Sequence, residues 1–263
     1  MMQLYPATAA ESLEFNKVCE LLKNKCRTDA ARERVENIRI HVRMDHMQRE
    51  LQQANEFKMI LGSGDHFPND FTRNVSRELR LLQIPGGVLS GEQLLAFMQL
   101  ALNMKDILHW FSRQNNIFPA LNSVAEKVTY EKKINELISG IIDESGMVRD
   151  TASKELMVIR SELGKVRHAA RRTFEVALRR LAKAGYLADT GEGFYNGRRT
   201  AAVLAEYKRI VKGIIHGESD TQKTTFIEPE ETIELNNEVF SLERSEQREI
   251  QRILVQATKD LSV

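Results

Sequence analysis

Five cations sit in one short, glycine-punctuated stretch: Arg198, Arg199, Lys208, Arg209 and Lys212. Between Asn196 and His216 only Glu206 opposes them, a formal charge of +4 with His neutral. Guanidinium and ammonium groups at this density can neutralise phosphate oxygens and release counterions. The contacts that result are salt-dependent and largely blind to base sequence. The alternative is a solvated sheet edge that Lys and Arg protect from aggregation, and the sequence leaves both readings open. Other chemistries find less support. The six histidines, His41, His46, His66, His109, His168 and His216, show no H-E-x-x-H spacing and the cysteines no C-x-x-C, so no metal site is expected. His41 and His46, five apart, read as surface residues. There is no G-x-S-x-G elbow and no G-x-x-x-x-G-K-[ST] phosphate loop. Glu228 is tempting as an acid, but its place before Pro229 at a helix start is explained by the helix dipole alone. No catalytic residue is expected in this chain.

The cations must be positioned by a small β region at about 186–228. Asn196-Gly197 is a strong type I′ hairpin signal, and the strands are expected at about 200–206, 210–216 and 224–227. Two long helical patterns flank it. One starts at a Ser153 cap and runs to about Ala184, stopped by Gly185. Its apolar face is Leu156, Ile159, Leu163, Val166, Ala170, Phe174, Ala177, Leu178 and Leu181. The other opens at Pro229, which suits a first helical position, and runs to the chain end. From Val239 onward its apolar residues approach a coiled-coil seam, with one break at Glu246.

Charge relates the two rods. From Arg160 to Lys183 there are eight bases against two acids, and from Glu228 to Ile250 eight acids against two bases. Opposite charge, with a chain-reversing β segment between, predicts antiparallel side-by-side packing in a fixed register. Arg171 and Glu238 would then lie on neighbouring surfaces. A basic helix can also be a phosphate footprint, but the acidic mate favours the packing reading.

Residues 1–150 read as a helical core. Leu13, Phe15, Val18, Leu21 and Leu22 form an apolar stripe, Thr28 caps a helix, another spans about 44–61, and a short one covers 76–82. Ser90-Gly91-Glu92-Gln93 is a capping box. Shorter helices follow over 121–128 and 130–142. Trp110 could stack on a base, but a core aromatic beside Phe111 is the favoured reading. The composition agrees: 263 residues, 29% charged, 6% aromatic, 14 Gly and 5 Pro suit long helices more than a sheet-rich enzyme. Cys19 and Cys26, about 10 Å apart on one helix, are too distant for a disulfide and read as reduced thiols of a cytoplasmic protein. No apolar stretch reaches membrane-spanning length.

Several runs carry a family resemblance: Asn196-Gly197-Arg198, Val203, Ala205-Glu206-Tyr207, Gly213-Ile214-Ile215-His216, Phe226-Ile227-Glu228-Pro229 and Glu234-Leu235-Asn236-Asn237-Glu238. With Leu13-Glu14-Phe15, Val88-Leu89-Ser90 and the Asp150–Arg160 pattern, the chain resembles the MutS-II family over nearly its whole length. These are paralogues of mismatch-repair MutS without its mismatch-reading domain. The chain departs from the family pattern at Tyr195 (usually Arg), Ala202 (Pro), Leu204 (Lys) and Gln222 (Gly). The resemblance implies a mainly α fold with a helical core over 1–150. Over 151–263 it implies two long antiparallel lever helices with a small antiparallel clamp-like β unit between them. It further implies that this is an N-terminal piece, the terminal helix continuing and returning in a longer protein. A dimeric ATPase domain, where ATP and Mg would bind, and an Smr nuclease domain would follow. DNA, branched or duplex, is the expected partner, in repair and suppression of recombination. A structural or dimerisation module without DNA contact, or a ribosome-binding part of a stalled-ribosome rescue factor, are the alternatives.

Overall fold

A computed structural model describes residues 8–38 and 43–262; His41 lies outside the described residues. The chain divides into two compact units, Met1–Met147 with Leu254–Val263, and Val148–Ile253. The described residues form ten α-helices and one four-stranded antiparallel sheet, so the protein is mainly α with a small antiparallel β unit.

The first unit contains α1 (Ala9–Ser12), α2 (Phe15–Lys25), α3 (Asp29–Glu36), α4 (Met44–Gly62), α5 (Ser76–Leu82), α6 (Gly91–Ser112), α7 (Pro119–Ala125) and α8 (Lys132–Ile141). Local side-chain caps fix several starts. Thr28 accepts from the Ala31 amide, and Ser90 and Gln93 make the reciprocal capping box. One cap is long-range. The buried Glu56 carboxylate on α4 accepts from the Ala120 and Leu121 amides at 3.1 and 2.8 Å, filling the unsatisfied first turn of α7. Trp110 is a packing residue, edge-on to Phe67 at 5.1 Å and stacked on Phe118 at 5.8 Å. The stripe at Leu13, Phe15, Val18, Leu21 and Leu22 is exposed among the described residues. Cys19 and Cys26 are free thiols, and Cys26 is the C-cap of α2.

The second unit is built on α9 (Lys154–Lys183) and most of α10 (Glu230–Leu261). The buried residues of α9 are Leu156, Leu163, Val166, Ala170, Phe174, Ala177 and Leu181, a near-heptad stripe that makes one continuous seam. Polar rungs cross to α10 in descending order. The Ser153 hydroxyl, which also caps α9, donates to Glu249 at 2.6 Å. Arg160 pairs with Glu246 at 2.7 Å, Arg167 with Glu243 at 2.6 Å, and Arg180 with Glu231. Rising numbers on α9 meet falling numbers on α10, so the helices are antiparallel and bridged by side chains from Ser153 to Arg180. The apolar break at Glu246 is thus filled by an ion pair. Arg171 does not reach Glu238; it pairs with Glu175 on its own helix at 3.0 Å.

Between the helices lie β1 (Leu187–Tyr195), β2 (Arg198–Leu204), β3 (Gly213–Glu218) and β4 (Thr224–Pro229), in sheet order β1-β2-β4-β3. The hairpin turn is as its sequence predicts, with φ of 48° at Asn196 and 78° at Gly197. The strand before it was not expected, because Ala188-Asp189-Thr190-Gly191-Glu192-Gly193 lacks β propensity. Gly193 lies close under the Phe226 ring, which a Cβ would approach to 3.0 Å. Residues 210–212 are not strand. A 3₁₀ turn at Ala205–Tyr207 drops Val211 into the core with Leu181, Val203 and Ile227, and Tyr207 stacks on Tyr186 at 4.6 Å. Pro229 is the last strand residue, paired with Gly213, and the helix opens at Glu230. Gln222 adopts the left-handed φ of 55° that a glycine would take without strain.

The seam and the rungs differ in weight. The Arg167–Glu243 pair is largely exposed, so Arg167→Ala should cost at most about 1 kcal/mol. Leu163, 3% exposed, should cost about 2–5 kcal/mol as Leu163→Ala. Urea unfolding checks the order; a larger loss for Arg167→Ala would mean that charge, not apolar packing, holds the pair.

Candidate nucleic-acid interface

The five cations of the β unit do not share one environment. Arg198 opens β2 directly after the turn and is turned inward. One Nη donates to both carboxylate oxygens of Glu228, at 2.8 and 3.0 Å, and the other to Asn237 at 2.6 Å. Arg199 points to the opposite face, as strand alternation requires. Its guanidinium lies 5.3 Å from the Phe174 ring centroid and 5.6 Å from that of Phe194, and it pairs with Glu192 at 3.3 Å. Lys208 pairs with Glu218 at 2.8 Å. Arg209 and Lys212 lie in the turn that precedes β3. Both are exposed, and neither side chain has a hydrogen-bond or ion-pair partner among the described residues. The structure therefore leaves Arg209 and Lys212 as free charges in one turn, keeps Lys208 and Arg199 in partial pairs, and commits Arg198 to the Glu228 brace.

Glu228 is the residue that sequence reasoning undervalued. Its carboxylate is fully buried and receives Arg198 from β2, His216 from β3 at 2.7 Å, and Asn236 from α10 at 2.7 Å. The dipole does not explain it: the helix begins two residues later, and the side chain joins three elements. Burial pushes its carboxyl pKa up, but hydrogen bonds from Asn236, His216 and Arg198 outweigh this and hold it below the usual range. Both oxygens are engaged, so the arrangement braces the sheet by tying β2, β3 and α10 to one carboxylate. The signal was present in the sequence. Arg198, His216, Glu228, Asn236 and Asn237 all fall inside the runs that carried the family resemblance.

Among the described residues no group of three or more His, Cys, Asp or Glu could hold a metal ion. No helix among them is long and apolar enough to cross a membrane.

Fold and site together define a class: paired antiparallel helices carrying a small, internally braced, cationic antiparallel sheet. The chain is related to proteins named endonuclease MutS2. It is 27% identical to that of Aquifex aeolicus (strain VF5) over 247 residues, covering 94% of this chain and 32% of the relative. It is 30% identical to that of Clostridium beijerinckii (strain ATCC 51743 / NCIMB 8052) over 244 residues, covering 92% and 31%. It thus spans about a third of the length of the curated relatives it matches. No family model matches the chain.

The brace has two measurable consequences. Glu228→Gln sets the part-buried Arg198 against a neutral amide and should destabilise by about 1–3 kcal/mol. Acid should act in the same direction. Arg252 and Ser153 hold the buried Glu249 carboxyl at about 2, and Glu228 is also depressed from 4.5. Folded-state values below the unfolded value mean that this stability is full above about pH 4.5 and is lost as pH falls toward 2. Urea midpoints between pH 6 and 2.5 should drop less steeply in Glu228→Gln/Glu249→Gln than in the parent; equal slopes would show that these carboxylates do not govern acid unfolding.

Proposed function

We propose that the chain is the lever-and-clamp portion of a MutS2-like, DNA-acting protein, and that the β unit grips the DNA backbone. The carrying observation is the split between braced and free cations. Arg198 is spent on Glu228 and Asn237, which ties the sheet to the start of α10. Arg209 and Lys212 remain exposed and unpaired in the turn that leads into β3 of that sheet. A pair of free charges beside a braced sheet suits contact with phosphates, positioning without reading bases. Lys208 and Arg199 would join by exchanging Glu218 and Glu192 for phosphate, and Arg198 would contribute indirectly, as the brace. Relatedness to proteins named endonuclease MutS2 supports the DNA assignment.

In this reading the chain itself carries no catalytic residue. ATP and Mg would bind in a separate ATPase domain of a dimeric, cytoplasmic, longer protein that repairs DNA and suppresses recombination. The antiparallel α9–α10 pair would relay nucleotide state to the sheet. The alternative, a dimerisation module without DNA contact, draws on a different observation, the exposed stripe at Leu13, Val18 and Leu21.

The test is Arg209→Glu/Lys212→Glu in the full-length protein, measured on duplex and branched DNA and on ribosomes across a salt series. DNA affinity should fall, and the slope of log K against log salt should shrink by about two, one per lost contact. Unchanged DNA affinity and slope would remove the assignment; loss on ribosomes alone would transfer it to ribosomal RNA or protein.

A further inference from the structure

Two clefts lie on one flank of the α9–α10 pair and share Arg167 and Glu243. The first, of about 160 Å³, is lined among others by Arg167, Arg171, Phe174, Arg199 and Asn236. The second, of about 520 Å³, is lined by Phe240, Arg244 and Arg248 beside the shared pair. Five arginines therefore face two carboxylates, Glu243 and Glu246. Both carboxylates are already engaged, with Arg167 and Arg160 at 2.6 and 2.7 Å.

The arginines differ in what they lack. Arg244 lies over the Phe240 ring at 5.9 Å, and Arg248 bonds only to the Arg244 carbonyl and the Ser245 hydroxyl. Neither has a carboxylate partner among the described residues. Arg199 is clasped between Phe174 and Phe194, and its Nη1 is buried without any hydrogen-bond partner. A buried guanidinium N–H without an acceptor is costly, and an oxyanion would relieve it. Arg244 and Arg248 are also the two bases that interrupt the acidic run from Glu228 to Ile250. They add nothing to the rungs that hold α9 to α10.

We infer that this flank is a phosphate track for a nucleic-acid strand, distinct from the Arg209–Lys212 turn. Phe240, Arg244 and Arg248 are spaced by four on α10 and so share one face. They span about 12 Å of helix at 1.5 Å per residue, enough for roughly three phosphates at 3.4 Å per strand. Phe240 is 56% exposed and offers a stacking face beside the guanidinium. The narrower cleft at Arg171 and Arg199 takes one further phosphate. The inference deepens the proposed DNA role and rests on it for the ligand class, and it shares only Arg199 with the β-unit cations.

The experiment is fluorescence anisotropy of the 263-residue chain with a labelled DNA single strand and with its duplex, across a salt series. Arg171→Ala/Arg244→Ala/Arg248→Ala removes exposed groups only, and the thermal midpoint checks folding. Affinity should fall at least about tenfold at low salt and the log–log slope should shrink by about two to three. The milder Arg244→Gln/Arg248→Gln should give part of the same change if the triple variant folds poorly. Loss on one substrate assigns the track to that form of DNA, and equal loss assigns it to the backbone common to both. Unchanged binding of both substrates overturns the track. Arg209→Glu/Lys212→Glu, run in parallel, separates the two ideas: loss there alone leaves the β-unit reading standing without the track, and loss in the arginine variants alone does the reverse.

Discussion

A single buried carboxylate organises the business end of this molecule. Glu228 is removed from water altogether, which is tolerable only because Arg198, His216 and Asn236 supply donors to its oxygens. Those donors come from β2, from β3 and from the second turn of α10. Asn237, next along the helix, takes the other arm of Arg198. Satisfying one charge thus fixes the orientation of two strands relative to a helix. The strand-to-helix change at Pro229–Glu230 is rigid for the same reason, with Gly213 admitted so closely that a Cβ would sit 2.1 Å from the Glu228 carbonyl oxygen.

The helix pair obeys a different logic. Its stability comes from the buried stripe on α9, and apolar seams are largely indifferent to sliding by a heptad. The rungs from Ser153–Glu249 to Arg180–Glu231 supply what the seam lacks, a preferred register and direction. Exposed rungs contribute little energy. The half-buried Arg160–Glu246 pair is the exception, since Arg160 also bonds to the Val148 carbonyl and to Asp150. It occupies the Glu246 break in the apolar pattern of α10, so the polar interruption marks the register.

Charge is therefore used three ways on one scaffold: buried in the brace, paired across the helices, and left free. The free class can meet a ligand without giving up an internal partner. Arg209 and Lys212 belong to it in the turn before β3, and Arg244 and Arg248 on the helix flank. Counting cations along the chain cannot separate these classes, because Arg198 and Arg209 are equivalent until their partners are known.

The sequence alone determined the helical class, the two long rods, the helix caps at Ser90 and Ser153, the type I′ turn at Asn196-Gly197 and the antiparallel mating of opposite charges. Each of these rests on near neighbours or on a periodicity that local residues carry. It did not reveal β1, whose residues are poor strand formers and which exists because β2 offers it a ladder. Nor did it reveal Glu56 capping α7 from a distant helix, or the inward turn of Arg198. Those were decided by tertiary structure, because the free energy of a charge or an orphan amide depends on which distant groups surround it, and residues 30 or 64 positions away leave no periodic trace in the chain.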